Sequence, residues 1–168
     1  MTEKTLVMGL GNRVMTDDAV GLFALEAFGE AYELGENADL FDGGTLGLEL
    51  LAYMEGYDNV LIADCIVGRG GPGEVVRVDK EDVAIVFERC LSPHQMGLKD
   101  IIAILELQQR TPKRLTVVGI NGGQIDVGTE PTSAVAAAIP EAVAMMASIL
   151  ESWGVELKPA AKGRPGTL

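Results

Sequence analysis

The chain has 168 residues, 48% hydrophobic and only 5% aromatic, with a formal net charge of −12. That length fits one domain with an aliphatic core. The charge argues against nucleic acid and anionic membrane surfaces as partners. The two cysteines, Cys65 and Cys90, stand in no metal-binding or redox spacing, which fits a reducing compartment. The first four residues are too polar and short for a signal peptide, and no apolar run approaches about 20 residues. A cytoplasmic protein without membrane insertion is expected.

Residues 5–8 read as a buried strand, a short apolar run ending at Gly9. Gly9-Leu10-Gly11-Asn12 follows, and then the adjacent acids Asp17 and Asp18. The first part is shaped like a phosphate-binding turn, in which N–H groups at a helix N-terminus receive an anion. Two carboxylates compete for that position and suit a cation better. The third glycine of the dinucleotide fingerprint is also missing. Thr16 or Asp17 can cap the next helix, where Val20, Phe23, Ala24, Ala27 and Phe28 recur at helical spacing.

Residues 38–41 form a second strand, closed by Asp42-Gly43-Gly44, and Thr45 can cap a short helix carrying Leu48, Leu50, Leu51 and Met54. Residues 59–63 are apolar throughout, as in a central parallel strand. A glycine-rich loop at 68–73 leads to an edge strand at 74–78 and a helical turn at 82–87. Residues 97–109 read as a helix with Leu98, Ile101, Ile102, Leu105 and Leu107 inward. A buried strand at 115–120, a glycine-rich loop at 121–131 and an alanine-rich helix at 132–153, kinked at Pro140, complete the pattern. The expected domain is 1–157, with a flexible tail at 158–168.

Strands alternating with helices predict a three-layer α/β/α sandwich around a mostly parallel sheet. Ligands of such sheets bind outside the carboxyl ends of the strands. Asn12, Asp17 and Asp18 follow the first strand, Asp42 the second, and Asp64 closes the third. His94, the single histidine, lies in a loop just before a helix. Asp17 reads as a cap. Asp18 is either a first-turn acid or a ligand, and Asp42 is either a ligand or an Asx turn. Asp64 ends an apolar strand, where an unpaired carboxylate is costly. Two carboxylates and an imidazole can hold a borderline divalent metal such as nickel or zinc. Cys65 faces the opposite side from Asp64 and reads as a buried thiol. Cys90 is a weaker candidate nucleophile, and no serine has the nucleophile-elbow context.

Four stretches in order resemble the hydrogenase maturation endopeptidases of the nickel-iron hydrogenase system. They are Gly9-Leu10-Gly11-Asn12 with Asp17-Asp18-Ala19-Val20-Gly21, then Asp42-Gly43-Gly44-Thr45, then Ile62-Ala63-Asp64, then Ser92-Pro93-His94-Gln95-Met96-Gly97-Leu98. The resemblance runs from Leu6 to about Trp153. It implies a phosphorylase-like three-layer fold and a single peptidase domain. The implied activity removes a C-terminal extension from the hydrogenase large-subunit precursor once nickel is installed there. The implied metal-binding residues are Asp18, Asp64 and His94, with Asp42 a further acid near the cleft. Nickel would be carried by the precursor, and no organic cofactor is implied. The alternatives are a maturation chaperone that docks without cutting, a nucleotide-binding module using the Gly9–Gly11 turn, and a cysteine peptidase using Cys65 or Cys90.

Overall fold

The computed structural model describes residues 2–87 and 97–161. Five strands form the main sheet in the order β3-β1-β4-β6-β5. They are β1 (Thr5–Leu10), β3 (Ala38–Gly44), β4 (Asn59–Ile66), β5 (Val75–Asp79) and β6 (Arg114–Asn121). β3, β1, β4 and β6 are mutually parallel, while β5 joins β6 antiparallel at the edge. Among the described residues the α-helices are α1 (Val20–Ala31), α2 (Leu50–Met54), α3 (Val83–Val86), α4 (Leu98–Leu107) and α5 (Ser133–Ser152).

The central strands β1, β4 and β6 are buried on both faces, and their alternating side chains divide into two cores. Leu6, Met8, Val60, Ile62 and Val117 pack with α2, α3 and α4 on one face. Val7, Leu61, Ala63, Val118 and Ile120 pack with α1 and α5 on the other. This is the expected three-layer α/β/α sandwich with a mostly parallel sheet.

Several boundaries differ from the sequence reading, each for a stated reason. β3 runs on through Asp42-Gly43-Gly44, because Gly9 pairs with Asp42 and, past a register shift, Leu10 with Gly44. β4 continues past Asp64, which pairs with Gly119 inside the sheet and does not end the strand. Gly9 is therefore not a turn residue. It lacks a side chain because α1 crosses so closely that a Cβ there would lie 2.6 Å from the Gly21 carbonyl oxygen. A Cβ on Gly21 would in turn collide with the carbonyls of Ala63 and Leu10. Gly11 does turn, with φ at +146°.

Thr45 caps nothing: α2 begins at Leu50, and Glu49 accepts the Gly47 N–H at 3.1 Å. Leu107 is 85% exposed, since it lies two residues past Leu105 and so on the far side of α4. α5 runs through Pro140 as a single helix. By length and mean hydropathy (1.7) it could cross a membrane, contrary to the expectation that no run approaches that length. In this fold its Val135, Ala142, Met146 and Leu150 are buried against the α1 side of the sheet.

A second, two-stranded sheet was not foreseen. β2 (Tyr32–Leu34) pairs antiparallel with β7 (Leu157–Pro159). Three-residue strands of mixed polarity leave no periodic signal. Lys158 and Pro159 thus belong to a strand and not to the expected tail, whose residues from 162 onward lie outside the described residues.

Candidate active site

The chain leaves β1 into α1 on one face of the sheet, whereas the helices between β4 and β6 cover the opposite face. The switch point therefore lies between β1 and β4, where α/β sheets open a crevice at their carboxyl ends. Asp18 stands beyond β1 in a 3-10 turn (Thr16–Ala19) that feeds α1. Asp64 stands near the end of β4.

The Asn12 N–H donates to Asp18 Oδ2 at 2.9 Å, and the Cys65 N–H donates to Asp64 Oδ1 at 2.8 Å. Burial raises the proton affinity of Asp18, opposed by that one N–H. Burial, and then the charge of Asp18, push the Asp64 carboxyl well above the usual carboxylate range. Among the described residues no lysine or arginine pairs with either acid. Two close carboxylates without a counter-ion hold a proton or attract a cation.

Asp17 does not cap the helix. It is fully buried, and its carboxylate turns away from Asp18 into the loop after β6. Its oxygens accept N–H bonds from Gly123 and Gln124 at 2.8 Å and from Thr132 at 2.6 Å. The Thr132 hydroxyl lies 3.0 Å from both oxygens. Burial alone would raise its proton affinity, but these donors outweigh burial and hold it below the ordinary value. The partners are more than 100 residues away in sequence, so no local spacing could have revealed them.

Asp42 is half-buried and bonded to Arg13 at 2.7 Å; Arg13 also reaches Glu26 at 2.6 Å. Among the described residues, then, Asp42 has a cation partner that Asp18 and Asp64 lack. Arg13 was missed from sequence; the one signal was a lone cation in an acid-rich turn. His94 and Cys90 lie outside the described residues. Among the described residues no group of three or more His, Cys, Asp and Glu side chains converges as a metal site.

Cys65 faces the α1–α5 core, as its alternation with Asp64 requires. Burial, with the negative charges of Asp64, Asp18 and Asp17, pushes its thiol far up. Such a thiol is a poor nucleophile. A depression of about 270 Å³ lined by Arg77, Asp79, Lys113, Arg114 and Trp153 lies at the start of β6, the opposite end of the sheet from the acids.

A profile of the hydrogenase maturation protease family matches residues 24–149. The chain is 37% identical over 159 residues to the hydrogenase 2 maturation protease of Escherichia coli K12, covering 93% of this chain and 96% of that one. It is 32% identical over 162 residues to the hydrogenase expression/formation protein HupD of Rhizobium leguminosarum, covering 95% and 80%. The structure of the hydrogenase maturating endopeptidase HybD from E. coli superposes with a TM-score of 0.86 at 36% identity, over 93% of this chain and 97% of that one. The [NiFe] hydrogenase maturation protease HybD from Thermococcus kodakarensis gives 0.65 at 26% identity, over 87% and 98%.

Fold and likeness together define a three-layer α/β peptidase. The chain belongs to the hydrogenase maturation protease family, and it is an endopeptidase of hydrogenase maturation.

Proposed function

We propose that this protein removes the C-terminal extension of a nickel-iron hydrogenase large-subunit precursor, and that Asp18, Asp64 and His94 engage nickel already held by that precursor. The supporting observation is the Asp18–Asp64 pair at the switch point, close enough for one charge to raise the other's proton affinity and without a lysine or arginine partner among the described residues. Two carboxylate oxygens and an imidazole nitrogen suit a borderline divalent ion. A cation arriving there displaces the proton that the pair would otherwise hold.

On the substrate, the nickel would supply a recognition handle and Lewis acidity toward the scissile carbonyl. The chain's own acids do the proton work. One carboxylate takes a proton from the attacking water as the new C–O bond forms. The proton then goes to the leaving amine as the C–N bond breaks. Asp64, whose proton affinity burial and the Asp18 charge raise, suits that exchange better than an ordinary exposed carboxylate. In this reading Asp42 is a wall residue, because Arg13 already neutralises it. The reaction is cytoplasmic, in keeping with a buried free thiol at Cys65.

Mass spectrometry of nickel-loaded precursor incubated with the protein tests this. Wild type should shorten the precursor, whereas Asp18→Asn, Asp64→Asn and His94→Ala should not, although each still folds. Nickel-free precursor should stay intact with every variant. Full cutting by Asp64→Asn would overturn the assignment. An intact precursor that co-purifies with the wild type would point to docking without cleavage.

A further inference from the structure

We propose that Asp17 is a positioning residue for the peptidase reaction: it clamps the loop after β6 and the start of α5 onto the turn after β1, and so fixes where the Asp18 carboxylate stands relative to Asp64. The proposal rests on the acid-pair reading above.

The clamp is built from both sides. Asp17 uses both carboxylate oxygens on Gly123, Gln124 and Thr132, while its own N–H donates to the Gln124 carbonyl at 3.2 Å. Thr16 repeats the pattern one residue earlier. Its hydroxyl donates to the Gln124 carbonyl at 2.6 Å and accepts the Asp126 N–H at 3.1 Å. The Thr16 N–H donates to the Gly128 carbonyl at 3.0 Å, and the Gly128 N–H to the Val14 carbonyl at 2.9 Å. Thr16 takes a left-handed φ of +47°, a strained conformation for a β-branched residue. These bonds hold it there.

The same contacts register the turn against β4. A Cβ on Gly122 would lie 2.7 Å from the Cys65 sulfur and 3.2 Å from the Asp17 Cβ, so that glycine fills the gap between them. Cys65 directly follows Asp64, and Asp17 directly precedes Asp18. The two chemical carboxylates are thus indexed to each other through Asp17, Gly122 and Cys65. On the other side, the Asp18 carbonyl sits where a side chain on Gly11 would go. Residue 18 is closed in, and its placement follows that of residue 17.

Displacements of about 1 Å in a catalytic group are worth about 100-fold in rate. The test is steady-state processing of nickel-loaded precursor by Asp17→Asn and by Thr132→Val, which removes a donor to Asp17 without touching the acids. Ile149→Val, on the same helix but remote from the clamp, controls for general destabilisation. All are assayed well below their melting temperatures. Asp17→Asn should lower kcat by about tenfold or more with KM within about twofold. Thr132→Val should show a smaller loss of the same kind, and Ile149→Val none. Should Asp17→Asn fail to fold, Thr132→Val alone decides. A kcat for both clamp variants no lower than that of the control, or an effect confined to KM, overturns the positioning role while leaving the functional reading intact. A wild-type protein that cannot shorten the precursor overturns both.

Discussion

Arg13 donates to Asp42 at 2.7 Å, and that contact separates the acids of the cleft into two kinds. Asp42 has its counter-charge; among the described residues Asp18 and Asp64 have none. Arg13 is about half exposed, so the ion pair adds little to stability, on the order of 0–1 kcal/mol. Asp42→Asn should therefore leave unfolding nearly unchanged and lower processing by less than about tenfold. Asp64→Asn should lower it by about 100-fold or more. Equal losses in the two variants would return Asp42 to the reacting set.

Asp64 also makes a stability prediction with a definite sign. Its proton affinity is raised in the folded state, so the favourable contribution of its protonated form is present at low pH. That contribution is lost as pH rises through the folded value. Asp64→Asn should consequently be more stable than wild type at pH 7–8, by a few degrees in Tm. Denaturant titrations should show the gap closing below about pH 4, where the acid is protonated in both states.

Glu3 carries the opposite sign. Hydrogen bonds from Asn59 and Lys113, helped by the charges of Lys113 and Arg114, lower its carboxyl from 4.5 to about 2. Its contribution is present above pH 4.5 and is lost as pH falls toward about 2. Glu3→Gln should lower Tm at neutral pH, and the difference should vanish near the acid end of that window.

Gly21→Ala should be far more damaging than an exposed helix substitution. The added methyl meets two backbone carbonyls, Ala63 and Leu10, neither of which can rotate away. A loss of at least about 2 kcal/mol is expected, or roughly 4–8 °C in Tm. Thermal denaturation followed by circular dichroism measures it.

Treatment of a Cys90→Ser variant with iodoacetamide at pH 7.5 should leave Cys65 largely unmodified and processing by that variant unaffected. The thiol is buried and its proton is held well above the normal range. Loss of activity that tracks carboxymethylation of Cys65 would revive the thiol as a participant.

The layers and strand sequence were legible because buried parallel strands are short apolar runs and the helices repeat at 3.6 residues. Asp64 stood out because an acid beside an apolar strand has few benign explanations, whereas Asp18 read equally well as a first-turn acid or a ligand. Asp17 was misread for the opposite reason. An acid at a helix start has a common local explanation, and its real partners, Gly123, Gln124 and Thr132, come together only through tertiary structure. Gly9 was misread likewise: a Gly-x-Gly after a strand suggests a turn, but the glycine serves the crossing of α1. The β2–β7 pair was invisible because three-residue strands have no period to detect.

That small ribbon has a practical consequence. The Gly35 N–H donates to the Glu156 carbonyl at 3.0 Å, and Ala160 donates to Ala31 at 2.9 Å. Asn37, just beyond, accepts from Thr5 at the very start of β1. Residues 157–160 are therefore fastened at the amino ends of the parallel strands, roughly 20 Å along β1 from the acid pair. A tether joined beyond them would anchor the protein to a surface by its back. The crevice at the carboxyl ends, proposed as the site of cleavage, would then face the solution, open to a bulky folded precursor.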